Sequence, residues 1–469
     1  MGARLLSPRW AHYASATALL KGIGLLLLPL SAAYLGSAGL GQLGLMVALA
    51  NVGSIVIGLG LPECCQRFAS DRVRYADSKK LGLWAAGLAI ALSPLMAMGL
   101  SLWQASGIAF WAWLPLLINL GLGALLSLRL VELRIEDDSW NYLKLVATQA
   151  GLQVTLTFAA LIGQFGVLGV AWAGLMATLL ALLSCLPALR AQFRGLVAPL
   201  NWSLLGFGAP LALGMMTAFA LGGYERGWLA ESLSLSELGV YVLMFQLSLI
   251  PALALEPFML WWGPKRYQLA EQRRYGYIGG VLASASLVLM AVVVAASLVL
   301  PPLVLTLFGA SYLDGLPWLR LLLIATLLRQ LSCMLNLGVY CQNHSGVALM
   351  INLLVAGPAL VLIPVAIHHF GVGGALWTLL LLQGARLLLF YQVSQRMLPI
   401  PYDSRLGWGL GMVVLWGVSG AWHGAASTAL LLLLLGLSVS CIKRTQSIER
   451  AERSPQSHGP AIVSKVEVR

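Results

Sequence analysis

The chain has 469 residues, of which 59% are hydrophobic and only 10% are charged, and its mean hydropathy is +0.85. A soluble domain carries about 25% charged residues, so this composition excludes an ordinary water-soluble protein. The formal net charge of +12 does not indicate nucleic-acid binding, because the basic residues are scattered singly between hydrophobic runs. The composition predicts an all-α membrane protein.

Hydrophobic runs separated by Gly, Pro or charged residues predict about fourteen transmembrane helices, since about 20 apolar residues cross a bilayer. In chain order these helices are expected at 14–35, 40–61, 81–102, 110–133, 142–161, 168–189, 204–228, 238–262, 277–300, 316–341, 347–367, 371–393, 406–422 and 425–441. After Cys441 the sequence turns hydrophilic, which predicts a disordered tail.

Basic residues are concentrated in alternate connections between these helices, where each of several segments carries two or more Lys or Arg. The intervening connections hold a single basic residue, Arg226, and the acidic residues Glu225, Glu231, Glu237 and Asp314. The positive-inside rule therefore predicts a multi-pass protein of the bacterial inner membrane with both termini in the cytoplasm.

The sequence also contains an internal repeat. A shift of 205 residues carries Phe165-Gly166-Val167 onto Phe370-Gly371-Val372, and a shift of 195 carries Leu43-Gly44 onto Leu238-Gly239. The repeat predicts two six-helix lobes related by a pseudo-two-fold axis along the membrane normal. The lobes are expected at 1–195 and 196–396, followed by two additional helices within 397–442 and a tail at 443–469.

Charged residues inside hydrophobic runs are the candidates for function. A Lys or Arg near the middle of a bilayer costs at least about 2.5–3.5 kcal/mol unless it faces a wet cavity or a partner. Five cations are therefore candidates for substrate binding: Lys21, Arg226, Arg320, Arg329 and Arg386. The structural alternatives are snorkelling of Lys21 to the cytoplasmic interface and a place for Arg320 at the outer interface.

Two carboxylates in the same runs, Glu225 and Glu256, are candidates for binding a coupling ion or for neutralising a cation. Because the internal cations outnumber the carboxylates, the sequence favours an anionic cargo such as a phosphate or diphosphate. No catalytic constellation, phosphate-binding loop or metal-ligand spacing accompanies them, and the six cysteines form no disulfide pattern. The prediction is a protein that is not an enzyme and that uses neither a cofactor nor a metal.

Several short motifs follow one another in a recognisable order over residues 14–393. They are Lys21-Gly22, Gly60-Leu61-Pro62, Glu225-Arg226 with Leu238-Gly239-Val240-Tyr241, Leu307-Phe308-Gly309, and Phe370-Gly371-Val372-Gly373-Gly374-Ala375. In this order they resemble the polysaccharide transporters, or O-antigen flippases, of the multidrug/oligosaccharidyl-lipid/polysaccharide exporter superfamily.

The resemblance implies two lobes around a cavity that opens alternately to each side of the membrane. It implies a lipid-diphosphate-linked oligosaccharide as substrate, flipped from the cytoplasmic to the outer leaflet, and gives Lys21 and Arg226 the cavity roles. Membrane lipids and a polysaccharide polymerase with its export machinery are the implied partners, and nucleic acid is not.

Two other functions remain open at this stage. A multidrug antiporter of the same superfamily commonly carries a carboxylate in its first helix, whereas the first helix here carries Lys21 and no acid. A non-transporting membrane scaffold would need no buried cations at all.

Overall fold

A computed structural model describes residues 8–103, 107–187, 200–341, 345–419 and 424–453, and these residues are helical apart from short connections. The α-helices are α1 (Pro8–Gly58), α2 (Leu61–Arg67), α3 (Arg72–Ser101), α4 (Phe110–Ile135), α5 (Ser139–Ile162), α6 (Gly166–Ser184), α7 (Leu205–Ala220), α8 (Glu225–Ser232), α9 (Leu235–Ser248), α10 (Ile250–Glu271), α11 (Tyr275–Phe308), α12 (Leu316–Met334), α13 (Leu337–Cys341), α14 (Ser345–Met397), α15 (Ser404–Val418) and α16 (Gly424–Arg453). Short 3₁₀ helices at Trp202–Leu204 and Ala310–Gly315 precede α7 and α12.

Eleven helical segments of the described chain are long and apolar enough to cross a membrane. Helices dominate because a bilayer offers no water to satisfy backbone N–H and C=O groups, and a helix satisfies them internally. Counting the two arms of α1 and of α14 separately and adding the shorter α15 gives the fourteen predicted segments. The all-helical membrane fold is confirmed.

Two helices are each interrupted by one glycine. The 51 residues of α1 contain Gly36 at φ 66°, and the 53 residues of α14 contain Gly371 at φ 58°. A straight helix of either length would measure about 75–80 Å, more than twice the bilayer core of about 30 Å. Each glycine therefore joins two spans with almost no loop, in a backbone conformation that other residues rarely adopt.

Two glycines that the internal repeat places opposite each other have similar φ angles. Gly166, which opens α6 after α5, also has a positive φ, of 61°, and the sequence repeat places it opposite Gly371. The glycine of the repeated Phe-Gly-Val tripeptide thus has a positive φ at both positions.

The helix ends differ from the predictions in three divided segments and at the last helix. The segments predicted at 204–228, 238–262 and 316–341 are each divided in two, giving α7 with α8, α9 with α10, and α12 with α13. The last helix extends to Arg453, so the prediction of a disordered tail is wrong for residues 443–453. Thr445 explains the extension, because its side chain is buried against Gly280 of α11. Residues 454–469 of the predicted tail lie outside the described chain.

The described chain divides into two compact units. Unit 1 comprises Met1–Ser248, Pro301–Leu322 and Asn352–Leu382, and unit 2 comprises Leu249–Leu300, Leu323–Ile351 and Gln383–Arg469. This division follows compactness and not the repeat, so the lobe boundaries at 195 and 396 stay a prediction.

Unit 1 is held together by close helix contacts at small residues. The α1 and α9 backbones approach so closely that a Cβ atom on Gly239 would overlap the Ser37 carbonyl oxygen, and one on Gly41 would overlap that of Leu235. Small residues let membrane helices approach each other, and van der Waals packing then replaces the hydrophobic effect that lipid cannot supply.

A network of charged side chains joins α3 to α4 near one end of unit 1. Glu132 accepts from Lys79 Nζ at 2.6 Å and from Arg129 Nη1 at 2.5 Å, and all three side chains are mostly buried. The α3 N-terminus beside it is capped by Asp71, which accepts from the Val73 and Arg74 amides. Two cations thus share one carboxylate at this end of the unit.

In unit 2, α16 packs on α11 and α15. Cys441 Sγ lies 3.8 Å from the Gly280 carbonyl oxygen, and Trp416 Nε1 donates to Ser427 Oγ at 3.2 Å. Beyond the membrane segment, Arg444 pairs with Asp403 at 2.9 Å. These contacts fix the two C-terminal helices to the rest of the unit.

Candidate functional site

Three arginines of unit 2 lie near one another on three different helices. Arg266 is on α10, Arg329 on α12 and Arg386 on α14, and we call them, with Tyr340 and Tyr402, the arginine cluster. Arg386 acts electrostatically on Arg329, and Tyr340 interacts with both Arg266 and Arg386. The cluster therefore unites two of the predicted site residues, Arg329 and Arg386.

The Arg266 side chain is held in place by neutral groups. Its Nη2 donates to Tyr267 Oη at 2.9 Å, and its Nη1 lies 3.5 Å from the Cys333 carbonyl oxygen and 3.4 Å from Asn336 Oδ1. Arg386 lies over the Phe390 ring, 5.4 Å from its centroid. Contacts of this kind orient a guanidinium without neutralising its charge.

Charge is the distinctive property of the cluster. Within the part of the chain that the structure describes, neither Arg266 nor Arg329 forms an ion pair with a carboxylate. Both are partly buried, and both stand about 7–8 Å of helix rise from the ends of α10 and α12. Partly buried guanidinium groups without a counter-charge favour binding of an anion, above all a phosphate that can accept two hydrogen bonds from one guanidinium.

Tyr402, in the connection between α14 and α15, completes the cluster. Burial raises the pKa of its phenol well above the usual range, Tyr391 raises it further, and Arg266 opposes the shift. The hydroxyl therefore stays protonated at neutral pH. It is buried and, among the described residues, makes no hydrogen bond, so it is an available donor.

Unit 1 contains a second charged site, formed by Glu225 and Arg226 at the start of α8. Glu225 is 0% exposed and Arg226 3% exposed. Tyr241 and Phe245, one turn apart on α9, face them. Tyr241 Oη donates to Glu225 Oε1 at 3.1 Å, and the Arg226 guanidinium lies over Phe245, 4.2 Å from the ring centroid.

This pair is enclosed by its own unit. Glu225 Oε2 and Arg226 Nε are buried and have no hydrogen-bond partner in the described chain. A cargo could reach either group only if α8 and α9 separated. The binding role predicted for Arg226 and the coupling role predicted for Glu225 both stay predictions.

The remaining predicted residues lie elsewhere. Arg320 is partly buried near the start of α12, in unit 1, two residues after Trp318, whose ring lies 6.4 Å from that of Tyr241. Glu256 is partly buried on α10 in unit 2. Lys21 is in the first arm of α1, and its side chain lies outside the described part of the structure.

Sequence reasoning missed Arg266, Tyr340 and Tyr402. Arg266 follows Lys265 and precedes two more arginines, so the positive-inside rule assigns it to a cytoplasmic connection, whereas the structure continues α10 to Glu271. No sequence signal was available for Arg266, because the sequence ends this helix at 262 and the structure ends it at Glu271.

No metal centre is visible in the described residues, where no three His, Cys, Asp or Glu side chains are grouped suitably. The predicted absence of a metal and of a cofactor stays a prediction.

No protein-family model matches the sequence. No curated protein matches it either.

Solved structures do match. An inward-facing conformation of a multidrug resistance MATE family transporter of the MOP superfamily aligns with 87% of this chain and 99% of its own, at 15% identity and a TM-score of 0.64. A MATE in the straight conformation aligns with 86% of this chain and 97% of its own, at 14% identity and a TM-score of 0.56. The fold is that of a MATE family transporter.

A third solved structure, the MATE multidrug transporter DinF-BH in complex with rhodamine 6G, has a TM-score of 0.52 and 17% identity, over 84% of this chain and 94% of its own. At such identities the likeness establishes the two-lobe MATE fold and nothing about cargo. The resemblance to O-antigen flippases, narrower than the MATE fold, finds no support in these comparisons.

Proposed function

We propose that this protein is a membrane transporter that works by alternating access. The MATE fold supports the proposal, because solved structures with this fold include an inward-facing and an outward-facing conformation, with TM-scores of 0.64 and 0.50 to this chain. A fold with two such arrangements can expose one site to each side of the membrane in turn. An inner-membrane location and cytoplasmic termini, which rest on the charge distribution alone, are part of the same proposal.

The arginine cluster carries the proposal for the cargo. Its guanidinium groups and tyrosine hydroxyls are the groups that bind diphosphates, and Arg266 and Arg329 lie near helix ends on the predicted cytoplasmic side. We therefore propose that the protein flips a lipid-diphosphate-linked oligosaccharide from the cytoplasmic to the outer leaflet. The diphosphate would bind Arg266 and Arg329 while the lipid tail stays in the bilayer. A polysaccharide polymerase and export machinery would be the downstream partners.

A second candidate is a cation-coupled multidrug antiporter. The comparisons fit this candidate better than the flippase, because the matching structures carry the names of multidrug transporters and one of them contains rhodamine 6G. An antiporter of this kind needs a buried carboxylate for its coupling ion. In this chain Glu225 and Glu256 are the residues available for that role.

The distribution of acidic residues argues against a coupling-ion site within residues 1–200. Between residues 1 and 200 the only acidic residues are Glu63, Asp71, Asp77, Glu132, Glu136, Asp137 and Asp138. All of them lie in α2, near the start of α3, or at and beyond the end of α4. No carboxylate is therefore available in the middle of these spans to bind a proton or sodium ion.

The two candidates are separated by reconstituting the purified protein in liposomes and offering both cargoes. One arm measures flipping of a fluorescent polyprenyl-diphosphate disaccharide, by its accessibility to a membrane-impermeant quencher. The other measures efflux of rhodamine 6G driven by an imposed proton or sodium gradient. Wild type is compared with Arg329→Gln and with Arg74→Gln, whose exposed side chain pairs with Asp71 at the start of α3, in unit 1.

The flippase proposal predicts flipping by wild type and by Arg74→Gln, and at least tenfold slower flipping by Arg329→Gln at equal folded protein. Gradient-driven rhodamine efflux without lipid flipping, lost in Glu225→Gln or Glu256→Gln, would establish the antiporter. Neither activity in a correctly folded protein would point to the non-transporting scaffold.

A further inference from the structure

Unit 1 contains a cavity of about 420 Å³ lined by residues of α1, α2, α3, α4, α5 and α6. This volume lies in the usual range for small-molecule sites, about 300–1,000 Å³. Its polar wall is formed by Ser54, Asn119, Ser127, Gln149 and Thr178, and its apolar wall mainly by leucines and glycines. The cavity is separate from the arginine cluster, which belongs to unit 2.

The cavity offers hydrogen bonds and no charge. None of the described residues that line it is charged, and none is aromatic. The nearest charges along α4, on Arg129 and Glu132, are paired with each other and with Lys79. A cation would find no carboxylate here, and a planar dye would find no ring on which to stack.

Asn119 contributes an amide side chain to the polar wall of the cavity. Its Nδ2 and the Gln153 Oε1 both lie 3.5 Å from the position that a Cβ atom on Gly174 would occupy. Gly174 thus leaves room for these amide side chains against α6.

Amide and hydroxyl side chains both donate and accept hydrogen bonds. A saccharide has the same mixed chemistry along its edges, and its ring C–H faces match the leucines of the apolar wall. The cavity is large enough for one or two sugar rings. An acyl chain would leave the amides unpaired, and a phosphate would lack a cation.

We propose that this cavity binds an uncharged saccharide, namely the sugar part of the transported lipid. The inference rests on the proposed flippase function for its biological meaning. Binding of the free sugar is a property of the cavity alone, so it can be measured without transport.

The test measures binding of maltose, lactose and N,N′-diacetylchitobiose to the full-length protein in nanodiscs, by saturation-transfer NMR and titration. Asn119→Leu removes one amide of the polar wall at similar volume. Gly123→Leu fills the cavity, because the space around the Gly123 Cβ position is open and the hydrogen-bonding groups stay in place. Thr217→Val is the control, a buried hydroxyl of unit 1 that does not line the cavity.

We expect at least one of the three saccharides to bind wild type and Thr217→Val equally. Binding should weaken at least tenfold in Asn119→Leu and disappear in Gly123→Leu. The inference is overturned if no saccharide binds folded wild type at millimolar concentration, or if Gly123→Leu binds as well as wild type.

A parallel titration with polyprenyl diphosphate lacking a sugar separates this inference from the proposed function. Diphosphate binding that depends on Arg329, with no saccharide binding, would leave the flippase standing and remove the sugar site. Saccharide binding lost in Gly123→Leu, with no binding of the diphosphate lipid, would leave a sugar-binding cavity and remove the flippase. If the free sugar binds but Gly123→Leu leaves binding of the lipid-linked sugar unchanged, the cavity does not hold the sugar of the cargo.

Discussion

The two arginine sites of this protein differ in what surrounds them. Arg226 in unit 1 is 3% exposed, stacks on Phe245 and follows the equally buried Glu225. Arg266 and Arg329 in unit 2 are partly exposed and, in the described chain, have no carboxylate partner. A cation that is enclosed beside an acid can stabilise the fold, whereas one without a counter-charge retains its capacity to bind an anion.

The number of charged residues in membrane helices is therefore a weak guide to function. The groups that surround each charge decide whether it can bind a ligand. The sequence treats Arg226 and Arg329 alike, since both interrupt hydrophobic runs. In the structure, Tyr241 hydrogen-bonds to Glu225 and Phe245 lies against Arg226. Arg329, in contrast, is repelled by the like charge of Arg386.

The largest effect is expected from removing the cluster's phosphate-binding groups. Each charge-assisted hydrogen bond to a phosphate contributes about 1.5–3 kcal/mol, so Arg266→Gln combined with Arg329→Gln should slow lipid flipping by about 100- to 10,000-fold. Arg329→Lys should restore only part of the rate, because Lys keeps the charge and loses the planar fork. Quencher-based flipping rates check this, and a rate within about threefold of wild type for the double variant would contradict it.

The enclosed site should respond in stability and not in transport. Arg226→Met leaves the buried Glu225 without the neighbouring cation and removes the contact of the guanidinium with the Phe245 ring, which contributes about 2 kcal/mol when it is desolvated. We expect a lower midpoint of thermal unfolding and an unchanged flipping rate per folded molecule. If the variant is stable but cannot flip lipid, Arg226 binds the cargo as the sequence predicts, and the contrast between the two sites disappears.

The packing of α9, which carries Tyr241 and Phe245, against α1 should also affect stability. Gly239→Ala would force α9 away from α1, since the added methyl group overlaps the Ser37 carbonyl oxygen, and overpacking typically destabilises by about 1–3 kcal/mol. Gly87→Ala on α3 is the matched control, because open space surrounds the Cβ position of Gly87. Thermal unfolding of the two variants should differ clearly, and equal midpoints would show that α1 and α9 do not pack closely.

The smallest effect is expected at Tyr241. Tyr241→Phe removes the hydrogen bond to Glu225 and leaves the ring beside Trp318, which should reduce the free energy of unfolding by about 1 kcal/mol. Transport should not change. A pH dependence of transport that shifts in this variant would instead assign Glu225 to proton coupling and favour the antiporter.

Much of the fold follows from the sequence because hydropathy and helix length are local properties. The predicted segments match helices such as α4 and α5 within a few residues, and Gly371 breaks α14 at the boundary that the sequence indicates. The extension of α16 was hidden, because its polar residues resemble a tail and only the contact of Thr445 with α11 makes them helical.

The candidate site could be predicted only in part. Arg329 and Arg386 stand out because each interrupts a hydrophobic run, but their proximity depends on how α12 and α14 pack. Arg266 lies in a basic segment that charge alone assigns to the cytoplasm. The cavity around Asn119 has no sequence signal, because amide and hydroxyl side chains on separate helices are ordinary until packing brings them together.

The glycine interruptions of α1 at Gly36 and of α14 at Gly371, here called corners, constrain how the chain enters the membrane. Each connects two membrane-spanning arms within one nearly continuous helix, so there is no stretch of extended chain between the arms. We expect each pair to insert as a preformed hairpin and to leave no accessible loop on the far side. Protease sites or epitope tags placed at either corner would therefore block biogenesis instead of reporting topology.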